Sequence, residues 1–302
     1  MHTDQEPTTC AIIVTWNPDP ARLLSLLAGI GEQSDFLVLD NASSNATAFI
    51  DAVSATPRCC GVVQLDSNIG LASALNQGLR RLQAGPHRYA VLFDQDSQVP
   101  AGFFAALVSA HREAQRQCGD RVAAVGPRIT HPATGRRMPF KLFDRICGRS
   151  DRPIQGSADI FESDFLITSG CLLDLHHLNG IGLMKDSYFI DNVDLEWSFR
   201  AIHRGYLLVG TDRTHLLHSI GEDDTSPLVR AGLMHSHGPS RTYYSTRNRF
   251  DLYRQSYAPI GWKLRDLPRF LLKSAWLLLF SSQRGDYWRS IRKGIADAGS
   301  LS

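Results

Sequence analysis

The chain has 302 residues, 43% of them hydrophobic and 21% charged, with a formal net charge of +2, a profile of one large globular domain or a domain with an appended piece. Residues 1 to 9 are polar and offer no basic region joined to an apolar core and cleavage site, so export is not expected and a cytoplasmic protein is. The six cysteines, Cys10, Cys59, Cys60, Cys118, Cys147 and Cys171, include one vicinal pair and no C-x-x-C, which suggests neither zinc nor a disulfide framework but free thiols in a reducing compartment.

From the amino terminus, short apolar strands alternate with helical periods. AIIVTW precedes a helix over Pro20 to Gly31, FLVLD precedes Ala46 to Val53, GVVQL precedes Gly70 to Gln83, and YAVLF precedes Ala101 to Gln117 before VAAVGP. The alternation predicts an α/β domain with a largely parallel sheet, whose ligands bind beyond the carboxyl ends of the strands. Asn17, Asp40, Asn68 and Asp94 all fall at that edge. Residues 131 to 162, rich in Gly, Pro and Arg, read as an irregular insertion. DFLITSGCLLDL then reads as a strand plus a helix start. The apolar spacing of Ile190, Val193, Trp197 and Ile202 in SYFIDNVDLEWSFRAIHRGY predicts a helix ending near Gly205, with YLLVG as a further strand.

The carboxyl-terminal residues differ in character. Residues 241 to 302 hold twelve Lys or Arg against four Asp, a net +8 that leaves about −6 for the rest of the chain, so the tail favours an anionic partner such as a membrane surface or a phosphate-bearing substrate. FLLKSAWLLLF, eleven residues interrupted by Lys273, is too short to span a bilayer. With Trp262, Trp276 and Trp288 and the basic residues around it, this stretch either lies in a membrane interface or packs on the catalytic domain. The basic residues gather there without a recognition module, which argues against nucleic acid.

Four constellations carry the chemistry. Asp94-Gln95-Asp96 at a strand end can hold a hard cation, Mg²⁺ or Mn²⁺, through one or two carboxylates together with substrate phosphates; the alternative is that Asp96 or Ser97 caps a helix beginning near Pro100. In SNIGLASALNQGLR, Asn68, Gly70, Ala72, Ala74, Asn76 and Gly78 place small residues along a helix start, allowing close backbone approach to an anion or merely tight packing. Asp191 and Asp194, three apart on the expected helix, are neighbours that can divide general-base work, whereas Glu196 points elsewhere. His218 follows the late strand and is a candidate ligand or a hydrogen-bonded histidine.

Taken in order, Thr15-Trp16-Asn17, Asp40-Asn41, N-x-G-x-A-x-A-x-N-x-G, D-x-D, Ser169-Gly170, FIDNVDLEWSFRAIHRGY and a later His-x-x-Gly resemble the family 2 glycosyltransferases of the GT-A fold. The FDQDS form, the F-I-D-x-V-D-x-E-W block with Arg200 and Gly205 after it, and YYSTRN resemble the bacterial rhamnosyltransferases that build O-antigen and related polysaccharides. The resemblance implies a GT-A catalytic domain over residues 9–235 and a basic helical region over 236–302. It implies that Trp16 and Asn17 border the nucleotide base, that Asp40 accepts hydrogen bonds from base or ribose, and that Asn68 and Gly70 line ribose and phosphates, with Thr15, Asn76 and Gly170 completing the substrate-binding set. Asp94 and Asp96 would hold ribose and metal, Asp96 the more direct ligand, joined by His218. Relatives commonly read Glu-Asp where this chain reads Asp191-Asn192, so Asp191 ranks first and Asp194 second as the base, and Arg247 and Asn248 would contact diphosphate or acceptor.

The function so implied is inverting, metal-dependent transfer of a sugar, foremost L-rhamnose from dTDP-β-L-rhamnose, to a hydroxyl of a lipid-linked or lipopolysaccharide glycan, with peripheral contact at the cytoplasmic face of the inner membrane. UDP- and GDP-sugars are alternative donors. A nucleotidyltransferase is disfavoured because TWNPDPARLL after the first strand lacks a glycine-rich phosphate loop. A non-catalytic glycan-binding protein is disfavoured by the four intact aspartates.

Overall fold

Strands β1 (Thr9–Thr15), β2 (Asp35–Asp40) and β4 (Tyr89–Asp94) are buried over nearly their whole length, as expected of strands covered on both faces. In the computed structural model, which describes residues 8–132, 134–143, 150–217 and 238–301, they join β3 (Cys59–Gln64), β5 (Val122–Thr130), β6 (Ile160–Ser163), β7 (Cys171–Asp174) and β8 (Leu207–Leu217) in one sheet of order β3-β2-β1-β4-β7-β5-β8-β6. The first four strands are mutually parallel, β5 and β8 are parallel to each other, and β6 and β7 run against their neighbours. Because Thr15 pairs with Asp40 and Val14 with Asp94, the carboxyl ends of the central strands finish in line.

Helices cover both faces. α1 (Pro20–Gly31), capped by Asp19 with Pro20 in its first turn, α2 (Ile50–Ser54) and α4 (Phe103–Cys118) pack on one face through Leu23, Leu27, Val53, Phe103 and Leu107. On the other face α3 (Leu71–Gln83), α5 (Leu178–Ile181) and α6 (Val193–His203) pack through Leu75, Leu79, Ile181, Val193 and Trp197.

Two segments depart from the sequence reading. Of DFLITSGCLLDL, the strand is confined to Cys171–Asp174 and runs antiparallel between β4 and β5. Helix α6 starts only at Val193, because Asp191 and Asn192 adopt left-handed backbone at φ 65° and 59°, a conformation that L-residues cannot propagate as a helix. Asp191 therefore sits on a loop rather than one turn before Asp194 on a helix.

α7 (Pro239–Arg254), α8 (Ile260–Phe280) and α9 (Arg284–Asp297) complete the described chain. They are tied to the α/β layer through buried polar contacts: Tyr188 donates to Asp251 at 2.6 Å, Lys185 pairs with Asp251 at 2.7 Å, and Tyr257 donates to Glu196 at 2.8 Å. Phe143, Phe199, Leu252 and Trp262 form a separate apolar cluster beneath them. Among the described residues no helix is long and apolar enough to cross a membrane.

Candidate active site

The ends of β1 and β2 build the first wall. Asp40 is 1% exposed and accepts from the Thr15 hydroxyl at 3.0 Å, from the Ser43 hydroxyl and from the Ser43 N–H at 3.1 Å. Its carboxylate thus anchors the turn after β2, a deeper place than the base or ribose contact expected of it. Asn17 (φ 47°) accepts from the Ser44 N–H and hydroxyl at 2.8 and 2.9 Å, and its own N–H donates to Ser43. Trp16 projects beside this turn with 55% of its surface exposed. Its backbone N–H donates to the Gln95 side chain at 2.8 Å, which links the β1 end to the D-x-D loop.

Asn68 and Gly70 form the second wall. The Asn68 side-chain oxygen accepts from Asn41 at 2.9 Å and from the Gly70 N–H at 3.0 Å. Gly70 (φ 84°) lies so near Phe189 that a Cβ would come within 2.6 Å of its ring and its carbonyl oxygen, and the Leu71 N–H donates to that carbonyl at 2.6 Å. The start of α3 is thereby bolted to the loop that carries Asp191. Gly70→Ala is expected to cost at least ~2 kcal/mol of stability, from backbone strain plus overpacking, as read by urea unfolding. Asn76 is fully buried, with its amide committed to Met184 at 2.8 Å and Asp186 at 2.7 Å; it is a strut below the site and does not face the wall.

The acidic residues gather between these walls and α7. Asp94 is half-buried and accepts from the Ser169 hydroxyl. Gly170 (φ 73°) turns the chain into β7, its N–H donating to Leu92 at 2.7 Å, and a Cβ there would press on Phe103 and Pro127 at 3.0 Å. Asp96 is exposed and has no hydrogen-bond or ion-pair partner among the described residues. It caps nothing, since α4 begins after a left-handed Gly102 with no side-chain cap. Both Asp191 oxygens are held by Arg241 at 3.0 to 3.2 Å. Burial pushes the Asp194 carboxyl up to about 7, a hydrogen bond from the Leu195 N–H works against that rise, and the charges of Asp191 and Asp94 add to it. Asp94 and Asp191 thus both lie within electrostatic reach of Asp194 despite the different placement of Asp191. Glu196 indeed points elsewhere, buried against Arg200 at 2.7 Å.

Arg247 and Asn248 support the site from behind. The buried Asn248 amide donates to the carbonyls of Ile190 and Asp191 at 2.8 and 2.9 Å, and its oxygen accepts from Arg247, whose guanidinium also reaches the Ser187 carbonyl. They hold the left-handed loop in shape, where the sequence suggested contacts with diphosphate or acceptor. His218 lies outside the described residues.

Several participants escaped the sequence reading. Ser43 and Ser44 were signalled only by the turn-forming run NASSN after β2, and Gln95 by its place between two aspartates. Arg241, Lys273 beside Asp191, and Lys141 beside Asp194 come from distant segments and carry no local signal. Burial holds the Lys273 ammonium below the usual lysine range. At the amino-terminal edge of the sheet, away from the acids, Cys10, Cys60 and His87 bring ligand atoms within 4.8 Å of one another, a grouping hidden by their sequence separation.

The arrangement gathers carboxylates at the carboxyl ends of parallel strands. Residues 10–156 match the family model described as glycosyl transferase family 2. The dTDP-rhamnosyl transferase RfbF of Shigella flexneri is 26% identical over 285 residues, covering 92% of this chain and 91% of that protein. Among solved structures, GalNAc-T7 with UDP, GalNAc and Mn²⁺ is similar at TM-score 0.62 and 12% identity over 98% of this chain, which spans 56% of the GalNAc-T7 chain. The mannosyltransferase PcManGT from Pyrobaculum calidifontis, in complex with GDP-Man and Mn²⁺, gives TM-score 0.57 and 16% identity over 99% of this chain and 77% of its own. Residues 1–349 of S. aureus TarS in complex with UDP-GlcNAc give 0.58 and 13% over 96% and 81%. The structural likenesses establish the GT-A fold, and over residues 10–156 the chain is similar to the family 2 glycosyltransferases.

Proposed function

We propose that the protein transfers L-rhamnose from dTDP-β-L-rhamnose, with inversion, to a hydroxyl of a lipid-linked or lipopolysaccharide glycan. The observation that carries the choice of donor is the likeness to a dTDP-rhamnosyl transferase over 92% of the chain. Trp16 would stack on the thymine base at the mouth of β1, with Asn17 beside it and Asn68 and Gly70 along the ribose and phosphates.

The donor set suits a divalent cation. Asp96 is an exposed carboxylate free of protein partners among the described residues, and Asp94 keeps one oxygen clear of Ser169; hard oxygen donors of this kind, completed by phosphate, are what Mg²⁺ or Mn²⁺ takes. When bound there, the ion supplies charge neutralisation for the departing nucleoside diphosphate. The aspartates supply the base. Asp191, fixed by its left-handed loop, by Asn248 behind it and by Arg241 on its carboxylate, would take the acceptor proton. Asp194, whose raised proton affinity suits proton transfer near neutrality, is the second candidate. Attack by the acceptor oxygen from the face opposite the nucleotide inverts the anomeric carbon.

A thermal-shift screen of nucleotide sugars tests the donor. With Mn²⁺ present, dTDP-rhamnose at a hundred times its Kd is expected to add about 2.7 kcal/mol of apparent stability, and UDP- or GDP-sugars little. A larger shift with a UDP- or GDP-sugar would reassign the donor while leaving the reaction class in place.

A further inference from the structure

α8 is amphipathic in the inverted sense. Trp262, Phe270 and Leu277 on its inner side are buried against the protein. Its outer side is apolar from end to end, with Ile260, Leu264, Leu267, Leu271, Leu272 and Leu279 each 42% to 69% exposed. At 100° per residue these positions form one continuous face, and monomeric soluble proteins rarely leave such a face bare.

The charges around the face say what covers it. Arg269 stands exposed on one flank of this face, and Arg284, Arg292 and Lys293 are exposed on the neighbouring α9. The single acidic residue of the helix, Asp266, is turned inward and neutralised by Arg249 at 2.7 Å, with a hydrogen bond from Tyr253 at 2.6 Å. On α9, Trp288 adds a further exposed aromatic ring, 54% exposed. A second copy docked face to face would bring two such sets of exposed cations together with no carboxylate of α8 between them, whereas anionic headgroups would neutralise them as the leucines enter the acyl boundary.

We propose that the outer face of α8 seats the protein on an anionic lipid surface. On the inner side of the same helix Lys273 stands beside Asp191, so docking would bring the catalytic aspartates close to the bilayer plane, within reach of a glycan whose anchored end stays in the lipid. The inference is independent of which sugar is transferred, because the docking face contains none of the donor-binding residues.

Flotation of the full-length protein with lipid vesicles tests it. The chain is expected to float with phosphatidylcholine vesicles containing phosphatidylglycerol, and at least about ten-fold less with phosphatidylcholine alone or at high salt. The double variant Leu264→Glu/Leu271→Glu is expected to lose flotation while keeping its melting temperature and its thermal response to donor. Should that variant fold poorly, quenching of wild-type tryptophan emission by brominated phosphatidylglycerol gives a readout without mutation, and quenching is expected. Absence of flotation and quenching in the wild type, or equal flotation of a folded variant, overturns the proposal. So does a dimer that the two glutamates split while vesicle affinity is nil, which would make the face a contact between copies.

Discussion

Asp96→Ala is expected to lower metal-dependent sugar transfer by about a thousand-fold, the consequence of losing several kcal/mol of transition-state charge stabilisation, while the melting temperature stays at the wild-type value. The two halves of this expectation rest on the same observation. Asp96 is exposed and makes no hydrogen bond or ion pair among the described residues, so the fold loses nothing with it, and a partnerless carboxylate at a strand end is the kind of residue kept for a ligand. Asp94 makes the useful contrast: it accepts from Ser169 next to the turn at Gly170, so Asp94→Ala should lower stability along with turnover. Initial rates against Mn²⁺ concentration, with circular dichroism as the fold control, check both. Wild-type turnover in Asp96→Ala would remove it from the metal site.

Asp191→Asn and Asp194→Asn are each expected to reduce turnover, the variant lacking the true base by about 10²- to 10⁴-fold, while donor binding by calorimetry persists in both. They should differ in stability. The Asp194 carboxyl has an ordinary value of 3.8 and is pushed up to about 7 by burial, so between those values the folded state holds a proton that the unfolded chain has released. Stability contributed by this group is therefore full below about 4, declines as pH rises through that window, and is gone above 7. Asn carries no such penalty. Asp194→Asn should match the wild type near pH 4 and exceed it at pH 8 by at least ~2 °C in Tm, the response of a chain this size to ~1 kcal/mol, both measured in chelator. If Asp194 must be ionised for catalysis, wild-type kcat will rise with pH through about 7. A flat profile, with near-normal turnover in Asp194→Asn and a collapse in Asp191→Asn, would leave Asp191 as the sole base.

The strand–helix alternation over the first 130 residues was legible because buried parallel strands need unbroken apolar runs and covering helices need a 3.6-residue period. Both are local properties of the chain. The residues at or after the strand ends, Asn17, Asp40, Asn68 and Asp94, are assigned to one edge by the same local pattern. The antiparallel β7 was less legible. Four residues that pair with two partners distant in the chain are too short to show a period, and the tertiary partners decide their direction. The late start of α6 had a similar cause. FIDNVDLEW has helical spacing, but Asn248 on α7 takes the carbonyls of Ile190 and Asp191 and Phe189 is locked against Gly70, so the loop wins over the period.

By itself the sequence determined the class of fold, the acidic edge and the family likeness, since each is written in residues close together in the chain or in the order of short motifs. The tertiary structure alone decided which polar residues prop up the acidic edge: Asn76, Asn248 and much of Asp40 act as supports, while Arg241 and Lys273 are carried to Asp191 from α7 and α8. It also decided that α8 turns leucine outward. A side chain's burial depends on what packs against it from elsewhere, and no stretch of sequence contains that partner.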